Sequence, residues 1–346
     1  MRLDQSSAVG PFIMSRDTLS DLLRSVRLRG AVFFYVSLRD QWSAEASTAQ
    51  EIAEAVVPGC EHAMEYHMIA KGEGWAAVSG WPPVRLAAGD IVLFPQGDRH
   101  VISSAPGLEP NRIESEWVFA RRHAPKPLPI SIRHGVVDDQ ARMPIEDADA
   151  VLVCGFLGCD LKPFNPLMAA LPRILHLPAS RAGDWVARVI DQAVVESNER
   201  RPGGDAVLER LSEMMFIDVV RRYLDRLPEE ATGWLAGLRD RFVGKALALM
   251  HEHPDRAWSV DDLAREVGLS RSALHERFVQ YLGHPPMHYL AHWRIQLGAR
   301  LLRESHGKVA TIALDVGYDS EAAFSRAFRR LVGRPPAAWR KAQAGA

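Results

Sequence analysis

The sequence has little cysteine and no long apolar segment. Only three cysteines, Cys60, Cys154 and Cys159, occur among 346 residues. So small and odd a number argues against a disulfide scaffold and favours a reducing compartment. No uninterrupted apolar run approaches the ~20 residues of a membrane-spanning helix, and the first residues show no signal-peptide pattern. These absences predict a cytoplasmic protein without a membrane partner.

Net charge is almost absent as well, because the chain carries a formal charge of only −1. That balance is uneven along the chain. Between Ala236 and the last residue there are 17 Lys and Arg against 11 Asp and Glu, which leaves 25 against 32 for the rest. A basic C-terminal third on an acidic remainder indicates that one part meets a polyanion such as nucleic acid.

Residues 31–118 have the pattern of β structure. Short β-branched or aromatic runs, GAVFFYV, WAAVSG, VRLAAGDIVLFP and RIESEWVFA, are separated by Gly, Pro and Asp. Many short strands at regular spacing predict a barrel or a sandwich. Residues 121–150 are interpreted as a long loop with one possible strand, after which VLVCGFLGCDL resumes strand character.

After about residue 180 the apolar period changes to that of helices. WVARVIDQAVVESNER and DAVLERLSEMMFIDVVRRYLDRL both repeat apolar residues at i, i+3, i+4 and i+7, and RPGG between them predicts a hairpin. The second helix has more apolar surface than one small domain needs, which leaves two interpretations open, dimerisation or packing within the monomer. PEEATGWLAGLRD is the expected linker.

The segment SVDDLAREVGLSRSALHERFVQYLG, residues 259–283, has the pattern of a helix-turn-helix. Ser259 is suited to cap the first helix, and Gly268 permits the left-handed backbone that ends it. Ser270 caps the next helix, whose Leu274 and Phe278 are expected to point inward. Two short helices joined by a glycine-containing turn leave the second helix exposed along one edge.

The same device returns in KVATIALDVGYDSEAAFSRAFRRLVGRPPAAWR, residues 308–340. Gly317 repeats the turn, Ser320 the cap, and Phe324 and Phe328 the inward positions. A helix of about twenty residues lies between the two units and spans roughly 30 Å, close to the ~34 Å of one DNA turn. Two recognition helices held at that distance can enter successive major grooves.

Residues 236–341 closely resemble the DNA-binding domain of the AraC family of transcription regulators, including the GYDSEAAFSRAFRRLVGRPPAAWR signature. By the family's pattern, base contacts fall at seven positions, Ser272, His275, Glu276, Glu321, Ala322, Ser325 and Arg326. Arg326 is the strongest of these, because a guanidinium can donate two hydrogen bonds to guanine. Arg271, Arg277, Arg329 and Arg330 are candidates for phosphate contacts. The alternative of a plain solvated side chain applies more to Arg277 and Arg330 than to Arg326.

Residues 10–180 resemble the cupin-type ligand-binding domains found at this position in many such regulators. GDIVLFPQGDRH, ending at His100, fits the second cupin motif, and EYHMIAKG, which begins at Glu65, fits the end of the first. The H-x-H pair of metal-binding cupins is replaced by Pro58-Gly59-Cys60, which argues against a standard three-histidine enzyme centre. We therefore expect Glu65, His67 and His100 to line a pocket for a small-molecule effector.

Two alternatives stay open for the same domain. A zinc or other transition-metal site could form from Cys60, Glu65, His67, His100 and Cys154, since Cys, His and carboxylate ligands suit such ions. That site would serve either a metal-dependent cupin enzyme fused to a DNA-binding domain or a metal-responsive regulator. Cys154 and Cys159 could instead form a redox switch, although buried structural cysteines are the simpler interpretation.

The sequence thus predicts an α+β protein with three parts. They are a cupin-like β-barrel sensor (residues 1–180), a helical dimerisation hairpin with linker (181–235) and an all-α domain with two helix-turn-helix units (236–346). The predicted function is sequence-specific binding of a double-stranded DNA operator, modulated by an effector, by a homodimer that is not an enzyme. An activator would also contact RNA polymerase.

Overall fold

The structure is a computed structural model, and it describes residues 17–139, 143–179, 185–199 and 201–343. These residues form two compact units. The first, here called the cupin unit, contains residues 26–231. The second, here called the helix-turn-helix unit, contains helix α1 (Thr18–Ser25) and the chain from residue 232 onwards. The boundary expected between residues 180 and 181 lies outside the described residues.

Helix α1 was not anticipated from the sequence, and it belongs to the helix-turn-helix unit although it precedes the cupin unit in the chain. Its Leu22 is fully buried. Gln296 of the same unit donates a 2.8 Å hydrogen bond to the carbonyl of Ser25, the last residue of the helix. The chain therefore passes between the two units twice.

Two sheets make up the cupin unit, and the strands within each are joined by hydrogen bonds in the orders β10-β9-β1-β11-β3-β6-β12 and β5-β4-β7-β2-β8. The elements of this part are β1 (Arg29–Arg39), β2 (Ser43–Ala46), α2 (Ala49–Val56), β3 (His62–Lys71), β4 (Glu73–Val78), β5 (Val84–Ala87), β6 (Ile91–Phe94), β7 (His100–Ser103), β8 (Asn111–Ile113), α3 (Ser115–Ala120), β9 (Leu128–Arg133), β10 (Val136–Asp138), β11 (Ala150–Cys159), α4 (Pro166–Ala170) and β12 (Leu175–Leu177).

The sequence pattern explains the central strands. Strand β11 is buried along its whole length between β1 and β3, which accounts for its unbroken apolar run. The expected strand over RIESEWVFA is only half correct, because β8 ends at Ile113 and the rest is helix α3. The segment expected to be mostly loop contains β9 and β10.

The hairpin consists of α5 (Trp185–Glu199) and α6 (Gly204–Arg226), separated at RPGG as expected. Helix α6 lies against β1 and β11 of its own unit. Gly30 permits this approach, since a Cβ there would meet the carbonyl oxygen of Glu209 at 2.5 Å. The hydroxyls of Tyr66 and Ser212 are 2.5 Å apart across the same contact. Packing within the monomer therefore buries the main apolar face of α6.

The helix-turn-helix unit continues with α7 (Trp234–Arg239), α8 (Arg241–Glu252), α9 (Val260–Val267), α10 (Arg271–Leu282), α11 (Pro286–Glu304), α12 (Val309–Asp315), α13 (Glu321–Val332) and α14 (Pro336–Gln343). Trp234 is buried, so the second half of the expected linker is part of this unit's core. None of the helices in the described ranges is long and apolar enough to span a membrane. Together the two units confirm the predicted α+β class, with a sheet-rich cupin-like domain and a helical domain.

Candidate functional site

The cupin unit encloses a cavity between its two sheets. The space in which a water-sized sphere can be centred is about 60 Å³. Strands of both sheets contribute lining side chains, and most of these are aliphatic or aromatic. They include Phe34, Val36, Leu38, Ile102, Ile113, Ile130, Ile132, Leu152 and Phe156. Alternate residues of β1 and β9 face this space, as the two-residue period of a strand requires.

The three residues expected to line an effector pocket meet at one place in this cavity. Glu65 and His67 are two residues apart on β3, so both point to the same face, and His100 begins β7 in the opposite sheet. All three are buried. Ligand atoms of the three side chains all lie within 4.8 Å of one another.

A chain of hydrogen bonds fixes the two imidazoles. His100 Nδ1 is 2.9 Å from the carbonyl oxygen of Asp98, which can only accept, so this nitrogen carries the proton. In a neutral ring Nε2 of His100 then accepts from Nε2 of His67, 2.8 Å away. Nδ1 of His67 is left to accept from the thiol of Cys154, at 2.7 Å.

Glu65 stands outside this chain. Its carboxylate oxygens are 3.8 Å from His67 Nε2 and 3.9 Å from His100 Nε2, beyond hydrogen-bonding distance. Within the described ranges, Oε2 of Glu65 is buried and has no hydrogen-bond partner. An unpaired buried oxygen is costly, so this atom is available to a ligand in the cavity.

Burial makes the group of four side chains electrically neutral at neutral pH. It raises the pKa of Glu65 to about 8 and lowers the pKa of His100 to about 4. Burial, reinforced by the neighbouring His100, also lowers the pKa of His67 well below its usual value. The pKa of the Cys154 thiol is raised by burial and by the nearby Glu65. A protonated carboxyl, two neutral imidazoles and a thiol result.

The residues present fit a transition-metal ion in number and type. Glu65, His67 and His100 could supply three ligands, which leaves a fourth position open as in many zinc sites. Cys154 contacts the ring of His67 and would orient it. Cys60 does not join them, because its Sγ lies against Gly158 instead and it does not line the cavity.

The cysteines of the proposed redox pair also have separate surroundings. Cys154 lines the cavity. Cys159 lies at the end of β11, where Asn165 Nδ2 is 3.7 Å from its sulfur. Both are buried free thiols.

The helix-turn-helix unit presents two exposed helices, α10 and α13. Their inward positions are as expected, because Leu274, Phe278, Phe324 and Phe328 are fully buried. Of the predicted base-contacting positions, six are exposed and Ser325 is half-buried. The exposed ones are Ser272, His275, Glu276, Glu321, Ala322 and Arg326.

The arginines of these helices have different surroundings. Arg277 donates from Nε to both oxygens of Asp240 at 2.9 Å, so it is a structural residue rather than a solvated one. Arg271 pairs with Asp261 at 3.2 Å. Arg326 and Arg329 are exposed on α13, and no ion pair to either is formed among residues 17–139, 143–179, 185–199 and 201–343.

Two features of these sites were missed in the sequence. Asp240 accepts hydrogen bonds from the amides of Phe242 and Val243 at the start of α8. It also pairs with Arg277, 37 residues later, and no local pattern in the sequence indicates this pairing. The aliphatic lining of the cavity was visible as alternation in β1, where Phe34, Val36 and Leu38 share a face.

Comparison with known proteins links both units to one family. The cupin family matches residues 17–225, and a helix-turn-helix domain family matches residues 263–342. A putative AraC-like transcription regulator of Streptomyces lividans is 35% identical over 283 residues, which cover 80% of this chain and 86% of that protein. Its counterpart in Streptomyces antibioticus is 32% identical over 330 residues, covering 94% and 98%.

A solved transcriptional regulator from Chromobacterium violaceum with an AraC-type DNA-binding domain is 32% identical, covers 29% of this chain and 88% of its own, and has a TM-score of 0.28. The cupin match covers more than half of the chain, and the Streptomyces relatives extend over both units. The chain therefore belongs to the AraC family of DNA-binding transcription regulators, with a cupin domain at its N-terminal side.

Proposed function

We propose that the chain regulates transcription by binding a double-stranded DNA operator with an affinity set by a small molecule in the cavity of the cupin unit. The single observation that carries this proposal is the enclosed apolar cavity with the unpaired oxygen of Glu65 inside it. An apolar pocket with a few convergent polar groups is the usual form of a small-molecule site. The cavity binds its ligand rather than converting it, since the relatives named above are regulators.

On DNA, α10 and α13 are proposed to read neighbouring major grooves. Helix α11, which joins the two helix-turn-helix motifs within their unit, has 19 residues, so it spans roughly 28 Å at ~1.5 Å per residue. The proposed base contacts come from Ser272, His275 and Glu276 on α10 and from Glu321, Ala322, Ser325 and Arg326 on α13. Arg271 and Arg329 are proposed to hold the phosphates.

Selection of binding sequences from a random duplex pool by the purified full chain tests the DNA half of the proposal. We expect enrichment of a motif with two conserved blocks separated by about one helical turn, ~10 base pairs. A chain that enriches no sequence, or a single short block with random flanks, would overturn it. The enriched duplex then serves as the operator in every experiment below.

Homodimerisation is proposed as well, through the outer face of the hairpin. Val195 on α5 and Val207 and Met214 on α6 are exposed although apolar. A second copy would cover such a stripe. A Met214→Glu variant should shift the mass seen by sedimentation from dimer towards monomer, and contact with RNA polymerase would follow only if the regulator is an activator.

A metal-responsive regulator is a second candidate, favoured by the mutual proximity of Glu65, His67 and His100. Bound zinc would make operator binding depend on the ion. Metal analysis of the purified full chain, with His100→Ala as the comparison, tests this. About one equivalent of metal in the parent chain and none in the variant would support it, and a metal-free parent chain that ignores added zinc would contradict it.

A further inference from the structure

The cavity of the cupin unit has a chemical character that narrows its ligand. We propose that it takes a small lipophilic amine, a molecule whose single ammonium N–H is its only polar group, with that nitrogen against Glu65. The inference rests on the proposed function in one respect, namely that the cavity is where an effector binds. It adds the chemical class of that effector.

Hydrogen-bonding capacity in the cavity is almost used up. Ser47 donates its hydroxyl to the carbonyl of Ile113 at 2.9 Å. His67, His100 and Cys154 satisfy one another in the chain described above. Among the lining residues that the structure describes, Glu65 alone keeps an unpaired buried side-chain oxygen. A sugar or another ligand with many hydroxyls would leave most of them without partners among aliphatic side chains, at a cost of about 1–3 kcal/mol for each.

The sign of the charge is also decided. Glu65 is the acidic residue of the lining, and no Lys or Arg is present among the lining side chains that the structure describes. A carboxylate or phosphate ligand would meet a carboxyl group and find no cation. An amine that enters the cavity can take the proton of the Glu65 carboxyl group, which leaves an ammonium and a carboxylate paired with each other, and burial of charges is tolerated when they are paired in this way.

One donor suffices for this single acceptor site. A tertiary ammonium has one N–H, which Glu65 can accept, whereas a primary ammonium would leave further donors unpaired in an apolar space. The N-alkyl groups would lie beside the rings of Phe34 and Phe156, which line the cavity. Aromatic faces attract alkylated ammonium groups. The number of donors and the surroundings therefore favour the same head group.

The size of the cavity limits the rest of the molecule. Water-sized spheres can be centred in only about 60 Å³ of it, so the apolar part of the ligand must be short. Matched probes with a six-carbon chain are therefore appropriate, namely N,N-dimethylhexylamine, hexylamine, 1-hexanol and hexanoate, together with xylose. They differ in the head group and keep the same apolar part, so differences in affinity report the polar end of the cavity.

Calorimetric titration of the full chain with each probe is the test. We expect dimethylhexylamine to bind about tenfold or more tightly than 1-hexanol, since the ion pair adds to the shared apolar contact. Hexylamine should lie between the two, and hexanoate and xylose should give no saturable heat. Glu65→Gln should weaken the amine by about tenfold or more while 1-hexanol changes by less than about threefold.

Two further variants keep the test decisive. Glu73→Gln removes an exposed carboxylate of the same unit and should leave every affinity unchanged. Ala46→Phe, at a lining position, fills the space while keeping Glu65, and should abolish binding of both the amine and the alcohol. Thermal melts of the unliganded variants verify that each one is folded.

The inference is overturned if hexanoate binds as tightly as the amine, or if folded Glu65→Gln keeps full amine affinity. Zinc that binds the parent chain while no amine binds would also overturn it and favour the metal site. Amine binding that leaves operator affinity unchanged supports the inference and counts against the proposed function. An operator affinity that responds to hexanoate but not to the amine supports the proposed function and counts against the inference.

Discussion

The helix-turn-helix unit contains two helix-turn-helix motifs, residues 259–283 and 308–340. The two motifs share their helix caps and turns and differ in their side chains. In each, a serine caps the recognition helix, with Ser270 and Ser320 both accepting a 3.2 Å hydrogen bond from an amide three residues on. The recognition helices end at Gly283 and Gly333, where φ is 76° and 84°. Such positions favour glycine because other residues are strained there.

The difference lies in the arginines. On α10, Arg277 is held by Asp240 and Arg271 pairs with Asp261. On α13, Arg326 and Arg329 are exposed without a carboxylate partner in the described ranges. A guanidinium that is already paired must give up its partner before it can bind DNA. We therefore expect the second helix-turn-helix motif to contribute more to operator affinity and the first motif to contribute more to the stability of the domain.

The largest expected effect on stability tests whether the two helix-turn-helix motifs are built alike. Phe278 and Phe328 occupy equivalent inward positions and are both fully buried. Truncation of either to alanine should cost about 3–5 kcal/mol of unfolding free energy, and the two costs should agree within about 1 kcal/mol. Urea denaturation followed by helical circular dichroism measures both, with exposed Val279→Ala as a mild control. Very different losses of unfolding free energy for the two alanine variants would show that the two motifs are not built alike.

Arg326→Ala tests the contrast in the side chains. Loss of a bidentate base contact should weaken operator binding by about 1–3 kcal/mol and relax the preference at one base pair. Arg329→Ala should instead weaken all sequences alike and lower the salt dependence by about one unit of slope. Titrations on the selected operator and on single-base variants separate the two. Unchanged affinity and preference in Arg326→Ala would remove its assigned role.

Asp240→Ala tests how much the first helix-turn-helix motif contributes to the stability of the domain. Burial alone would raise the pKa of Asp240, but hydrogen bonds from Arg277 and from two backbone amides outweigh it and lower the pKa. The variant loses the cap of α8 and should cost about 1–2 kcal/mol at neutral pH.

The cost of Asp240→Ala has a pH dependence of known sign. A lowered pKa means that the carboxylate stabilises the fold above its ordinary value of 3.8 and that this contribution is lost as the pH falls below it. The difference in unfolding free energy between the parent chain and the variant should therefore shrink below pH 3.8. A difference that is the same at pH 7 and at pH 3 would contradict this role.

Arg271→Ala should have the smallest effect of the series. Its ion pair with Asp261 is exposed on both sides, and such pairs contribute about 0–1 kcal/mol to stability. Operator binding should weaken several-fold less than in Arg326→Ala. A loss of operator affinity equal to or larger than that of Arg326→Ala would show that the first motif contributes at least as much to DNA binding as the second.

Local signals made the helix-turn-helix units predictable. Their caps, turns and inward positions depend on residues within three or four positions of one another, as at Ser270 with Phe278 and at Ser320 with Phe328. The motif spacing also predicted that Glu65 and His100 would meet. Non-local pairing was not accessible in this way, because the contact of Arg277 with Asp240 depends on how α8 and α10 pack.

The metal-ligand set shows the same limit. The sequence offered Cys60, at the place of a lost histidine, and Cys154, on a later strand, as candidate ligands. Register decides between them, because Cys154 pairs with His67 across β11 and β3, whereas Cys60 precedes β3 and lies at the other end of β11 beside Gly158. The helix over residues 115–120 was hidden because its aromatic and β-branched residues also suit a strand.

Operator affinity of the full chain with its cavity open and filled is the most direct measurement of whether the cupin unit controls DNA binding. The parent chain and folded Ala46→Phe would be titrated side by side on the selected operator, with Glu73→Gln as the control. Coupling of about 1–3 kcal/mol between the two sites predicts a change of about 5–150-fold in Ala46→Phe and none in the control. Equal affinities for the parent chain and folded Ala46→Phe would contradict control of the operator by the cavity.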